Sequence, residues 1–391
     1  MKRNIYQFLL GLALILAACS QNTGDASVPQ SDDVPPSPYP DTPSPVAIDA
    51  PLIEAPALVD LDMFNELDGW GVSEAEVVRT NDGGVTWYNV TPPDVTETGY
   101  GVNVFFLDPN HAWMLKQDNE NYPNSGFLHR TADGGITWTT VTVPFSSAHL
   151  QFIDRDLGWA LADLGVGAGS NAVAVYQTED GGATWESTYT NDPNLPNAAD
   201  SLPLGGLKSG IVARDMETAW VSGVTYAPGE IYLYRSDDGG RTWMRVTVPM
   251  PQGAEAFELG IDADQMKFTS AADGFFAVRM AGEAMQTILY ATNDGGETWM
   301  LTPAVIPGAG SMEFLSAQEV VLYDGEQFYV TRDAAQSWVT VRPDVAFGES
   351  FAGMEFVNTM TGWVITADPT TNHRSLYRTN DGGAIWFPVI P

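Results

Sequence analysis

Apolar and polar positions alternate with a period of two in short runs along most of the chain. No long segment shows the 3.6-residue period of an amphipathic helix. Trp138-Thr-Thr-Val-Thr-Val143 is representative, and β-branched and aromatic residues dominate such runs. Clusters of Gly, Asn and Asp separate them. The pattern predicts an all-β chain of many short strands. The runs also group into units. Each unit offers an apolar strand, a turn, a second strand opening on an aromatic residue, a loop, a third strand, a tight turn and a fourth strand.

The tight turn repeats nearly verbatim. It reads Arg79-Thr-Asn-Asp-Gly-Gly-Val-Thr-Trp87 and Arg130-Thr-Ala-Asp-Gly-Gly-Ile-Thr-Trp138 in the first two units. The next three turns place Asp180 with Trp185, Asp238 with Trp243, and Asp294 with Trp299. A degenerate copy, Thr331-Arg-Asp-Ala-Ala-Gln-Ser-Trp338, carries Asp333, and the last copy joins Asp381 to Trp386. The Asp positions, 82, 133, 180, 238, 294, 333 and 381, fall 39 to 58 residues apart, the size of one propeller blade. A second element precedes each turn: Phe64 with Gly69-Trp70, Phe106 with Trp113, Phe152 with Trp159, Ala213 with Trp220, Phe268 with Phe275, Phe314 with Val320-Val321, and Phe356 with Trp363. The expected fold is a seven-bladed β-propeller of four-stranded antiparallel blades over residues 57–391. In the turn, glycine supplies positive φ and the Asp oxygen accepts from turn amides.

The turn resembles the Asp box of the BNR repeat superfamily, which includes sialidases, sortilin-type receptors, xyloglucanase-type glycosidases and the photosystem II stability/assembly factor family. The pairing of a Gly-Trp strand with Thr-x-Asp-Gly-Gly-x-Thr-Trp looks most like the last. The resemblance implies a propeller in which Asp82, Asp133, Asp180, Asp238, Asp294, Asp333 and Asp381 are structural, as are Trp87, Trp138, Trp185, Trp243, Trp299, Trp338 and Trp386. It also implies a binding or assembly role. Members that assist photosystem II carry a functional arginine patch, to which Arg79, Arg130, Arg235 and Arg378 are the nearest match. Their recurrence at one place in the repeat suggests a structural ion pair or a basic ring near the turns instead.

Residues 1–19 read as a targeting segment: Lys2 and Arg3, an apolar run, then Leu16-Ala17-Ala18-Cys19. The run is short for a permanent span. Its end resembles the lipobox of bacterial lipoproteins, which implies that Cys19, the only cysteine in the chain, is lipidated. Residues 20–56 are rich in proline and predict an extended tether. Some thirty residues at about 3.1 Å each reach roughly 90 Å. The protein is expected outside the cytoplasm, held at a bacterial membrane by its lipid.

Composition narrows the function. With 50 acidic against 17 basic residues, the net charge of -33 repels nucleic acid phosphates. A single cysteine excludes a disulfide framework. The four histidines lack ligand spacing, and Asp118-Asn-Glu-Asn121 and Asp262-Ala-Asp264 lack a calcium-loop pattern, so no metal is assigned. No cofactor motif and no hydrolase signature occurs, so no catalytic residue is assigned and the chain leans away from an enzyme.

Alternation of direction puts the first-to-second and third-to-fourth turns on one rim and the longer, variable loops on the other. Variable loops on a rigid scaffold are where binding resides. Tyr100, Glu120, Tyr122, Tyr189, Tyr226, Glu230, Glu258 and Asp262 are the candidate binding residues there. The leading function is a monomeric, lipid-anchored scaffold for a protein partner. The alternative is a glycan-binding protein or a divergent glycoside hydrolase, with polysaccharide as the partner.

Overall fold

The computed structural model describes residues 48–96, 98, 102–308 and 310–390. Cys19, the tether up to residue 47 and Tyr100 lie outside them. The described chain is all-β apart from two single 3₁₀ turns, Ala254–Ala256 and Gly348–Ser350. It forms a seven-bladed propeller of antiparallel sheets.

Blade 2 shows the plan. Val102–Phe106, Ala112–Gln117, Gly126–Thr131 and Thr139–Val143 pair in chain order from the innermost strand outward. Blades 3, 6 and 7 repeat it, starting at Ala148–Phe152, Ser311–Phe314 and Phe351–Phe356. Blade 1 begins at Leu58–Met63 and gains a fifth, outermost strand, Leu52–Ile53, paired to Trp87–Asn89. Blade 4 starts at Leu207–Ala213. In blade 5 the first strand is split into Glu258–Gly260 and Met266–Phe268 on the same neighbour, and Gly260 also pairs with Val224 of blade 4.

Packing explains the ring. Each of seven buried apolar clusters is shared by two consecutive blades. Trp113, Leu128 and Phe152 join blades 2 and 3, for example, and Trp220, Phe276 and Trp299 join blades 4 and 5. The seventh cluster sets Leu58, Leu61, Met63 and Trp87 of blade 1 against Trp363 and Ile365 of blade 7. A hydrophobic stripe on each sheet face thus finds a partner all the way round, the last blade included. Blades 1 and 7 each use their own four strands, so the ring closes by side-chain packing without exchange of a strand.

Register corrects one alignment. Phe106 stands opposite Ala112, Phe152 opposite Gly158 and Phe356 opposite Gly362, but in blade 1 it is Met63, not Phe64, that stands opposite Gly69. Met63 points into the core, 4% exposed.

Candidate functional site

The Asp-Gly-Gly turns are closed hydrogen-bond networks. Asp133 Oδ1 accepts from the Thr137 amide at 2.9 Å and from the Thr131 hydroxyl at 2.8 Å, while Oδ2 accepts from the Thr137 hydroxyl at 2.6 Å. The Thr131 hydroxyl in turn accepts from the Gly135 amide at 2.9 Å. The same Oδ1 bonds recur at Asp82, Asp180, Asp238, Asp294, Asp333 and Asp381. At Asp294 the Thr298 hydroxyl and amide hold the carboxyl down at about 2. The first glycine also donates to the preceding turn of its own blade, as Gly134 does to Asn110 O at 2.9 Å, so both short turns share one rim. Gly134 and Gly135 have φ of 75° and 83°, a region that costs an L-residue about 1–2 kcal/mol. In blade 6, Ala334 and Ala335 adopt it at 56° and 62°. Asp238→Ala strips acceptors from two turn amides and two hydroxyls. It should lower stability by about 1–3 kcal/mol in a denaturant titration.

The repeated arginines clasp neighbouring blades. Arg130 Nη1 donates to Asp180 O at 2.8 Å and Gly181 O at 3.1 Å in the next blade. Arg235 reaches Gly296 O and Glu297, and lies 5.3 Å over Trp220. Arg378 stacks 5.0 Å over Trp363 and pairs with Glu66 of blade 1 at 3.9 Å, and Arg79 lies over Trp70. These guanidiniums sit on blades 1, 2, 4 and 7 along one rim and do not converge. The second-strand tryptophans act in parallel. The indole N–H of Trp113 donates to Gly181 O and that of Trp363 to Gly83 O, each at 2.9 Å. The seven turn tryptophans are buried or half-buried between strands.

The opposite rim is less spent. Glu120, Tyr122, Tyr226, Glu230 and Glu258 are exposed there. Tyr226 packs on Gly169, where a Cβ would fall 2.9 Å from its ring. Glu230 pairs with Arg245 at 3.5 Å and Asp262 with Arg279 at 2.7 Å. Tyr189 requires a correction. It is 5% exposed, its hydroxyl donates to Ala199 O and accepts from the Leu202 amide, and it therefore pins the 191–206 loop from inside. A tyrosine that starts a loop in sequence ends a strand here, one residue short of the rim.

A polar cleft of about 290 Å³ opens among these loops, lined by Asn103, Ser147, His149, Asp163, Asn171 and Lys208 among others. Lys208 is 7% exposed and spends its ammonium on the carbonyls of Leu204, Asn171 and Gly206 at 2.8, 3.1 and 3.2 Å. Burial pushes its pKa down to about 8. His149 Nδ1 accepts from the Ile211 amide at 3.3 Å, which makes Nε2 the protonated nitrogen, and burial holds the ring neutral. Asp163 Oδ1 accepts from the Gly165 amide. Asn103 Oδ1 accepts from the Ser147 hydroxyl and the Ala148 amide, which leaves Asn103 Nδ2, His149 Nε2 and the second Asp163 oxygen to face the cleft. None of the eight predicted rim residues lines it, although Ala263, next to Asp262, does.

Below the cleft the innermost strands face a channel. The residue opposite the second-strand aromatic position is Asp62 in blade 1, then Phe105, Gln151, Val212, Lys267, Glu313 and Glu355. Sequence reading passed over this layer because Leu58-Val-Asp-Leu-Asp-Met63 looks like a half-exposed strand. The residue eight before each second-strand aromatic position, the one just ahead of Met63, Phe106, Phe152, Ala213, Phe268, Phe314 and Phe356, is the signal for this layer. Among the described residues no three His, Cys, Asp or Glu side chains converge to hold a metal ion, and no helix is long and apolar enough to cross a membrane.

This geometry is that of a β-propeller whose blades each carry a closed Asp turn. No protein-family model matches it. It is similar to the photosystem II assembly lipoprotein Ycf48 of Synechococcus sp. (strain CC9902), at 21% identity over 273 residues, 63% of this chain and 75% of that protein. It is also similar to a xyloglucanase of Paenibacillus sp, at 29% identity over 189 residues, 43% of this chain but 18% of the enzyme. Among solved structures, Ycf48 bound to D1 peptide superposes with a TM-score of 0.51 at 18% identity, covering 88% of this chain and 98% of that one. The GH74 xyloglucanase from Xanthomonas campestris gives 0.57 at 12% identity, covering 87% of this chain and 55% of the enzyme.

Proposed function

We propose that the protein is a lipid-anchored, non-enzymatic scaffold that engages a protein partner through its long-loop rim. Cys19 carries the lipid, and the residues between it and the Leu52–Ile53 strand hold the propeller away from an extracytoplasmic membrane surface, a tether that ends earlier than residue 56 because that strand joins blade 1. The observation that carries this reading is the asymmetry of the two rims. The polar groups of the Asp-Gly-Gly turns are consumed by the fold. The other rim keeps Tyr122 at 48% and Tyr226 at 55% exposed, with Glu120 and Glu258 exposed as well. Exposed tyrosines of this kind provide contact area at low entropic cost. The likeness to Ycf48, an assembly lipoprotein with a structure bound to a peptide, supports the same class. Asp163 is the one carboxylate lining the cleft, whereas acid–base glycoside hydrolysis needs a pair flanking the bond.

The test is recovery of cross-linked partners from native membranes carrying the full-length protein. A single stoichiometric protein should be recovered, and Tyr122→Ala with Tyr226→Ala should reduce it about tenfold. Undiminished recovery would move the interface elsewhere. The xyloglucanase likeness favours one second reading, a glycan-binding or hydrolytic rim. A melting shift on adding xyloglucan oligosaccharide, with no protein recovered, would establish that reading instead.

A further inference from the structure

We infer that the channel carboxylates form a proton-dependent clasp across the seam where blade 7 meets blade 1. Glu313, Glu355 and Asp62 occupy the same register position on blades 6, 7 and 1, which are consecutive around the ring. Asp60 stands two residues nearer the long-loop rim on the strand of Asp62, and Asp264 lies in the turn between the two halves of the split first strand of blade 5. Lys267, also of blade 5, is the cation that acts on them. The equivalent positions on blades 2, 3 and 4 are Phe105, Gln151 and Val212, which carry no charge. His149 of blade 3 faces Asp264 and is held neutral by burial. Five carboxylates therefore face one lysine. Among the described residues no hydrogen-bond donor reaches Asp62, Glu313 or Glu355.

Asp62, Glu313 and Glu355 are half-buried where they open onto the channel and are ringed by protein, so their charge is only partly solvated, while Asp60 is exposed beside them. Burial first, then Asp60, raises Asp62 to about 7. Burial raises Glu313 to about 8, with Lys267 opposing and Asp62 adding to the rise. Burial and then Glu313 push Glu355 well up, and burial raises Asp60. The folded chain thus binds more protons than the unfolded chain between about pH 4, where free carboxyls titrate, and about pH 8. Stability is fully present below that window and is lost as pH rises through it.

The place where this charge acts matters. The seam is where the two ends of the propeller chain meet, and it has no exchanged strand. It is held by the Leu58–Met63 and Trp363 cluster and by Arg374 donating to Leu58 O at 3.2 Å. Ionised Asp62 and Glu355 stand on its two sides. The ring therefore tightens in acid and loosens above neutrality.

The experiment follows thermal melting of the full-length protein between pH 5.5 and 9, with amide exchange of Leu58–Met63 and Phe351–Phe356 corrected for intrinsic rate. The melting temperature should fall by several degrees across the window, more at low salt, and the two seam strands should lose protection before the strands of blades 2 to 4. Glu355→Gln with Glu313→Gln should flatten the pH profile. Asp62→Asn alone should flatten it in part, which keeps the test available if the double variant fails to fold. Glu120→Gln with Glu258→Gln, which removes two exposed charges, should leave the profile unchanged. A flat wild-type profile, an unchanged slope in the channel variants, or uniform loss of protection round the ring would overturn the clasp.

Discussion

Trp363→Ala should cost about 3–5 kcal/mol in a denaturant titration, the range for deleting a buried tryptophan. Its ring is fully buried in the cluster that closes the propeller, its indole N–H donates to Gly83 O at 2.9 Å, and Arg378 covers its face at 5.0 Å. Alanine would open a cavity at the one interface where the chain ends meet, and would leave the Gly83 carbonyl and the Arg378 stack without a partner. Trp363→Phe restores most of the packing but not the donor, and should recover all but about 1–2 kcal/mol. A loss below 1 kcal/mol for the alanine variant would mean that the ring does not depend on this closure.

The second large effect lies at Lys208. A buried lysine in a polar cleft invites a ligand-binding role, but its ammonium already serves three carbonyls, those of Asn171, Leu204 and Gly206. It also lies 5.3 Å over the Tyr232 ring. Lys208→Met keeps the stem and removes the donors. The loss should be about 3 kcal/mol, since each buried acceptor left unpaired costs roughly 1–3. Proteolysis should then cut first within residues 191–206, the loop those bonds secure. Unchanged stability with impaired partner binding would instead return Lys208 to the surface chemistry of the cleft.

These effects separate what the repeat made readable from what it concealed. The Asp-Gly-Gly turns were legible because positive φ demands glycine and the network demands Asp with a hydroxyl on either side. Those residue types therefore recur in nearly every unit. The blade count and the two unequal rims followed from the same spacing. Residues whose role comes from the ring as a whole were not legible. Asp62, Glu313 and Glu355 look like the polar half of alternating strands and become neighbours only when seven blades converge. Phe64 lies five residues before Gly69 where the equivalent gap elsewhere is six, so its residue type matches the repeat while its spacing belongs to Met63. Tyr189 reads as a loop residue in sequence because nothing local distinguishes a tyrosine near a strand's end, turned inward, from one that begins a loop.

The proposed function turns on which rim meets the partner. A photoreactive amino acid placed at Tyr226 on the long-loop rim, or at Ile136 beside an Asp-Gly-Gly turn, compares them in the intact, full-length protein in cells. Both sites are exposed, at 55% and 41%. Irradiation should give a discrete protein adduct from position 226 and none from position 136. An adduct from 136 alone would place the interface on the rim that the fold is argued to consume, and would contradict the assignment.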